Sequence, residues 1–395
     1  MPYSTTDYRN ITPRPPRTVL RYVMVVGHGI QYDVVASNPE LVSPELYRLW
    51  CENLALRTTP EAHFQRLYRD APEPTSTVFL LRAWAHGLAN AEIVGSNGFS
   101  IRRFQLGAGL EGCAAVSGDL VVAHAHRSLL PALHLVRAVR EHTMSEFALC
   151  YGFPNDKAKG VMVRAGFRVL GTMTRYARVL RHATYLPQVA ARLQAPPRLA
   201  KIVNAAAHHP LGRRLASLLD IARLASQLPE IVHAHARHRL TVLDEPDARL
   251  DELWARARSE YDVIGERTAA MLRWRYPRGV LAALVRSSDH VLMAYALFEL
   301  DASRTAHIRD VFGHKSALGP LFDLLLPALW CHGAVSASIR MLGAPCLAAV
   351  VGARGFKPRP GQRTIVVQVG REHETVRAQL EDADAWHMLD LDEDT

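Results

Sequence analysis

Lysine is almost missing from this chain. Of 47 basic residues in 395, five are Lys and the other forty-two are Arg. Long apolar runs are missing too: no stretch of about 18 such residues occurs, so no transmembrane helix is expected. No signal-peptide core precedes the polar start, which carries Asp7, Arg9 and the Pro-rich segment 13–17. The five cysteines, at 51, 113, 150, 331 and 346, form no CxxC pair. Odd in number and scattered, they argue against a disulfide framework and read as reduced thiols of a cytoplasmic protein. His208, His209, His233, His235 and His238 have no Cys or carboxylate at ligand spacing, so no metal is expected.

What is present fits a soluble globular protein: 49% hydrophobic and 22% charged residues. The length allows two domains with full cores. A net charge of +9, carried almost wholly by Arg, has two readings. One is a GC-rich coding sequence. The other is a surface for an anionic partner, since Arg grips phosphate bidentately: a nucleotide cofactor, an acidic carrier protein or RNA.

A pattern occurs twice. Residues 127–133 (RSLLPAL) reappear at 315–321 (KSALGPL), each after a strand-like apolar run and each entering a Leu-rich helical stretch. A Gly-Phe-basic triplet follows at nearly the same distance, at Gly166 and at Gly355. Such a duplication predicts two copies of one α/β unit. The expected boundaries are 1–182 for the first, 183–239 for a Pro-punctuated helical connector, and 240–395 for the second with its acidic tail. Within the connector Leu211, Leu215, Leu218, Leu219 and Ala222 form a stripe that suits packing between the units.

Periodicity places a helix at 44–56 and strands at 19–26, 77–83, 92–104 and 110–123, the last bent near Ser117 and Gly118. A helix follows over 127–142, a strand over 146–151, and a helix capped by Asn155 that runs to Arg164. Residues 167–170 and 175–180 would close a hairpin. The second unit reads as a helix over 249–259 and strands over 280–286, 291–300 and 305–312. The run of carboxylates from Glu381 to Asp394 has the composition of a disordered tail, with Trp386 as a point of docking.

The segment Asp119–Ala132 resembles the signature of the GNAT superfamily of N-acetyltransferases, in which a D/E-L-x-V strand leads into R-x-x-G-x-G/A at a helix start. Residues 151–155 (YGFPN) and 165–167 (AGF) resemble later parts of that domain, and 272–276 (LRWRY) resembles tandem members. The resemblance covers about 75–181 and 260–369. It implies an α/β (α+β) fold of two tandem GNAT-like domains, each a mixed, mostly antiparallel sheet flanked by helices. It also implies transfer of an acyl group from acyl-CoA, or from acyl-phosphopantetheine on an acyl carrier protein, to a small-molecule amine.

In that reading the backbone from Ser128 through Leu129, Leu130 and Pro131 to Ala132 faces the donor pyrophosphate at a helix start, with Pro131 removing one N–H donor. Arg127 adds charge. Val121 and Val122 pair with the pantetheine arm, and Asn155 reaches it. Asp119 matches an acidic position beside the base, and Tyr151 is the nearest candidate acid, because the usual tyrosine position is Met162. Leu130 stands where the family has glycine. The weaker second copy implies a donor site in the first unit only. Two rival readings are an aminoacyl-tRNA-dependent transferase of the peptidoglycan-bridge type and a non-catalytic GNAT-like binding protein.

Overall fold

A computed structural model describes residues 22–26, 30–37, 44–73, 76–84, 91–107, 109–185, 218, 220–222 and 225–393. Among these, fifteen strands pair into one mixed sheet. They are β1 (Tyr22–Val26), β2 (Ile30–Ser37), β3 (Thr77–Trp84), β4 (Glu92–Leu106), β5 (Glu111–Val122), β6 (Leu149–Gly152), β7 (Arg168–Val179), β8 (His238–Leu243), β9 (Val263–Gly265), β10 (Val280–Arg286), β11 (Leu292–Leu300), β12 (Thr305–Gly313), β13 (Ser336–Gly343), β14 (Lys357–Val369) and β15 (His387–Leu389).

The strand order reads the same from both ends. From β2 inward it runs β2-β3-β4-β5-β6, and from β8 inward it runs β8-β10-β11-β12-β13. Each arm is antiparallel except for one parallel pair, β5 with β6 and β12 with β13. The two central strands are exchanged. β14, from the C-terminal arm, lies beside β6, and β7, from the N-terminal arm, lies beside β13. The sheet thus has two arms of like strand order, joined through exchanged central strands. The segment read as a hairpin over 167–180 is the single strand β7. Its residues Arg168–Ala177 pair with β14 and Thr174–Val179 with β13, which leaves no turn between them.

Strand alternation and helix spacing explain the layers. In β3, Phe79 and Leu81 face one side and Val78 and Leu80 the other. Helix α1 (Pro44–Asn53) presents Leu46, Leu49 and Trp50 at i, i+3, i+4 to the second side. Helix α2 (Pro60–Phe64) continues into a π-helical turn, Gln65–Arg69. Helix α3 (Leu129–Glu146) covers the first side with Leu135, Val136 and Val139, and α4 (Asp156–Arg164) lies next to it. Asn155 caps α4 as expected, accepting from the amides of Lys157 and Ala158. In the second arm α5 (Leu228–Arg237), α8 (Lys315–Cys331) and α9 (Pro345–Ala353) cover one side, while α6 (Ala248–Ala257) and α7 (Ala269–Arg275) cover the other. Of the connector stripe, Leu211, Leu215 and Leu219 lie outside the described residues.

The acidic tail is folded, contrary to its composition. Trp386, Leu389, Asp390, Leu391, Asp392 and Glu393 are all buried. β15 pairs antiparallel with the last residues of β13, Met341–Gly343, and His387 Nε2 donates to Val311 O of β12 at 2.8 Å. The tail therefore lies in the fork where β12 and β13 separate. Its carboxylates meet scattered arginines. Arg267 grips Asp392 with both terminal nitrogens, at 2.7 and 2.6 Å; Asp390 accepts from Arg309 at 2.9 Å and forms an ion pair with Arg340 at 2.9 Å. Glu393 pairs with Arg363. Charge count alone predicts solvation; the order comes from partners that stand 30 to 125 residues away in sequence.

Burial pushes the His387 imidazole down to about 3, helped by the nearby Arg267 charge. The folded chain then refuses a proton that the unfolded chain accepts below about pH 6.5, so this histidine's contribution is present above that pH and is lost as pH falls toward 3. Asp310 acts in the opposite direction, because burial raises it to about 6 and its protonation in acid favours the fold. We therefore predict a difference between proteins. On going from pH 7 to pH 5 the stability gap between wild type and His387→Gln narrows by about 2 kcal/mol, at ~1.4 kcal/mol per pH unit below 6.5. Urea titrations at the two pH values test this. An unchanged gap would mean that His387 is not held neutral.

Candidate active site

Two structural events in the first arm set the site. The parallel pairing of β5 with β6 ends at Ser117 and Gly152. Beyond it β5 runs on through Gly118–Val122 with no described strand on that edge. Gly152 is needed at the fork because a Cβ there would stand 2.9 Å from Ser117 O. On its other edge β5 carries a bulge: Ser96 pairs with Val121 and Gly98 with Gly118, so Asp119 and Leu120 oppose the single residue Asn97.

Asp119 sits in this bulge with φ of 53°, the left-handed region that costs a non-glycine residue about 1–3 kcal/mol and recurs at functional sites. Asp tolerates it better than most residues. Three contacts fix the position. Oδ1 is 2.9 Å from His63 Nε2, Oδ2 accepts from Tyr68 OH at 2.7 Å, and the Asp119 carbonyl accepts from Ser96 Oγ at 3.2 Å. Ser96 Oγ is itself fixed by Trp50 Nε1 at 2.8 Å. The carboxylate and the imidazole keep about a tenth of their side-chain surface. Packing of Trp50, His63, Phe64 and Tyr68 rings against one another supports the group.

His63 and Tyr68 were not found from sequence. They stand five residues apart, a spacing that does not share a face in an ordinary α-helix. The π-helical turn, closed by Asp70 N to Gln65 O at 2.8 Å, is the i→i+5 geometry that brings them together. Gly98 admits the tyrosine, since a Cβ there would fall 2.1 Å from Tyr68 OH.

The residues expected at a donor site are gathered more loosely. Val122 O accepts from Arg127 Nε at 3.0 Å, and Arg127 Nη2 donates to Asn53 Oδ1 at 2.9 Å. The arginine is exposed but folds back over the strand end. A 3-10 turn, His124–His126, separates strand and helix, and Ser128 N donates to His126 O at 2.8 Å. Ser128 is the N-cap residue of α3, whose first turn holds Leu129, Leu130, Pro131 and Ala132. Leu130 is 51% exposed, so its side chain does not belong to the core. Val121 and Val122 are buried on opposite faces of the strand. Asn155 is exposed at the α4 start. Tyr151 stands apart: it is fully buried, and its hydroxyl donates to Asp392 O at 3.0 Å, where Phe104 and Trp386 pack on the ring. The structure does not bring it to Asp119.

The second arm differs at the equivalent places. β12 passes into α8 through His314 alone, so the turn present at 123–128 has no counterpart. Lys315 is the first helical residue, and its amide is capped by Glu260 at 2.8 Å. The fork between β12 and β13 is filled by β15.

Three solved structures share this architecture across both arms. One is a conserved protein of unknown function from Enterococcus faecalis V583, described as a probable N-acyltransferase. It shows 11% identity, covers 88% of this chain and 73% of that one, and has a TM-score of 0.56. The others are GCN5-related N-acetyltransferases. That of Kribbella flavida shows 10% identity, 86% and 72% coverage and a TM-score of 0.54. That of Anabaena variabilis ATCC 29413 shows 12%, 85% and 72%, and 0.52. This chain has the GNAT fold. No protein-family model and no curated protein matches its sequence. Among the described residues no three His, Cys, Asp or Glu gather as a metal site, and no helix is long and apolar enough to cross a membrane.

Proposed function

We propose that the chain is an acyltransferase with one working donor cleft, in the first arm, that moves an acyl group from acyl-CoA or an acyl carrier protein to an amine. The observation that carries this is the asymmetry of the two forks. Beside β5 the edge Gly118–Val122 carries no strand among the described residues, whereas the second fork is occupied by the chain's own β15, which pairs with the end of β13 and reaches β12 through the bond from His387 Nε2 to Val311 O. Two tandem units then share the sheet, with the second serving as a frame.

The chemistry assigned to the cleft follows from Asp119 and His63. The amine must lose a proton as it attacks the thioester carbonyl. The carboxylate orients the imidazole through Nε2, and the pair accepts that proton directly or through a water. The arm lies along Val121 and Val122, with its phosphates at the α3 start, where the first amides of a helix lack internal acceptors. Tyr151 takes no part. One observation favours a binding-only reading: Arg127 already occupies Val122 O, so a donor arm has to displace it.

The test is thiol release. Wild-type protein is mixed with acetyl-CoA and a panel of primary amines, and free CoA is followed with a thiol-reactive dye. Release that depends on an amine supports the reading. Release no faster than the protein-free blank, for every amine and for an acyl carrier protein donor, would overturn the reading and leave the binding-only protein and the aminoacyl-tRNA-dependent transferase.

A further inference from the structure

The second arm holds a serine, a histidine and an aspartate in a hydrogen-bonded line that the reading above does not use. Ser338 Oγ lies 3.1 Å from His307 Nδ1, and His307 Nε2 lies 2.9 Å from Asp301 Oδ2. The three come from separate places: Asp301 from the turn between β11 and β12, His307 from β12, and Ser338 from β13. His307 and Ser338 meet because the parallel register sets them directly opposite each other. Asp301 is fixed by its own contacts to Ser303 Oγ at 2.7 Å and Thr305 N at 2.8 Å. The hydrogen bond from His307, followed by these two contacts, holds its carboxyl below the usual range, so it is ionised. One proton arrangement satisfies the line. Nε2–H donates to Asp301, and Nδ1 is left as the acceptor for the Ser338 hydroxyl.

The line opens on a cavity of about 220 Å³ lined by His307, Ser338, Arg175, Arg309, Arg340 and Asp390. Ser338 is 6% exposed yet contributes to this wall. Arg309 and Arg340 are shared with Asp390, and Arg175 at the rim has no ion pair among the described residues. The neighbouring Ser336 is a useful contrast. It bonds Tyr185 OH and Thr305 Oγ1, has no imidazole, and does not line the cavity.

The geometry points to a second reactive centre: Ser338 is a nucleophile for small esters or thioesters that carry a negative charge, activated by His307 and oriented through Asp301. Ser338 Oγ bonds to the acyl carbon while its proton passes to His307 Nδ1. The carbonyl oxygen takes up negative charge facing the guanidinium groups. The C–O or C–S bond then breaks, and the leaving alcohol or thiol takes the proton from Nδ1. Water repeats the sequence on acyl-Ser338, releasing the acid and restoring the serine. The net reaction is hydrolysis, with water as the co-reactant. Asp301 fixes the imidazole and its charge, as a base is held by a third group in other nucleophile sites. The size of the cavity limits the acyl part to a few carbons, and its arginines select an anionic one.

The experiment uses the full chain and two activated esters, 4-nitrophenyl acetate and the anionic 4-nitrophenyl hemisuccinate. Reactions are quenched in acid, and the acyl group is located by intact mass and peptide mapping. The expected result is one acyl group on Ser338 and faster labelling by the hemisuccinate. His307→Gln should slow labelling by about 100-fold, the low end of what a positioned base supplies. Arg175→Ala should slow the anionic ester more than the neutral one. Ser336→Ala should label as wild type does, and because the readout is the acylated Ser338 peptide itself, a failure of the donor cleft leaves this result unaffected. An unmodified Ser338 peptide in the wild-type protein, whatever else is labelled, overturns the proposal without recourse to a variant. Equal labelling of Ser338 in wild type and His307→Gln overturns the role of the imidazole.

Discussion

Arg267→Ala is expected to destabilise the protein by about 3–5 kcal/mol, the cost of removing one partner from a buried ion pair. Arg267 is fully buried, and besides Asp392 it reaches Asp310 Oδ1 at 3.3 Å and Gly265 O at 2.7 Å. Asp310 in turn accepts from Tyr295 OH at 2.6 Å. Alanine would leave two carboxylates in a low-dielectric site with no cation. Asp392 also accepts from Leu389 N at 3.0 Å, so loss of the guanidinium loosens the turn that holds β15 in its fork. Urea unfolding measures the cost, and limited proteolysis should detect faster cleavage near residue 386. Stability within about 1 kcal/mol of wild type, the range of a surface pair, would mean that the tail is not docked as described.

Asp119→Asn is expected to lower kcat/KM for amine acylation by about 100-fold to 10,000-fold, with the affinity for CoA unchanged. Asparagine can keep the left-handed backbone and the bond from Tyr68, but it cannot stabilise an imidazolium or take a proton. The loss should therefore fall on kcat. Tyr68→Phe removes one donor to the carboxylate and should cost less. Steady-state rates with calorimetric CoA titrations separate these effects. An Asp119→Asn enzyme within threefold of wild type would remove Asp119 from the chemistry and leave its strained backbone as a feature of the bulge alone.

Much of the architecture was legible in sequence, for identifiable reasons. The strand-turn-helix repeat and the two Gly-Phe triplets report local backbone needs. Gly166 and Gly355 both close a helix at positive φ, at 101° and 79°, and each leads into an exchanged central strand. The bend expected near Ser117 and Gly118 lies next to the bulge that holds Asp119 and Leu120. Exchange of β7 and β14 was not legible, because local pattern does not say which neighbour a strand takes. The misread hairpin has the same origin: Gly171 resembles a turn residue, but it serves close packing, since a Cβ there would meet Leu342 at 2.7 Å. His63 and Tyr68 were missed because their partner is 51 to 56 residues away and a π-helical turn breaks the period used to find faces. Tyr151 was reached through proximity in sequence to Asn155, whereas its environment is set by Asp392 at the far end of the chain.

The most direct test of one open and one self-filled fork is calorimetric titration with CoA. We predict a single equivalent bound per chain, weakened by Arg127→Glu through reversal of charge beside the phosphates and left nearly unchanged by Lys315→Glu. Two equivalents per chain, or equal losses from the two substitutions, would contradict the account.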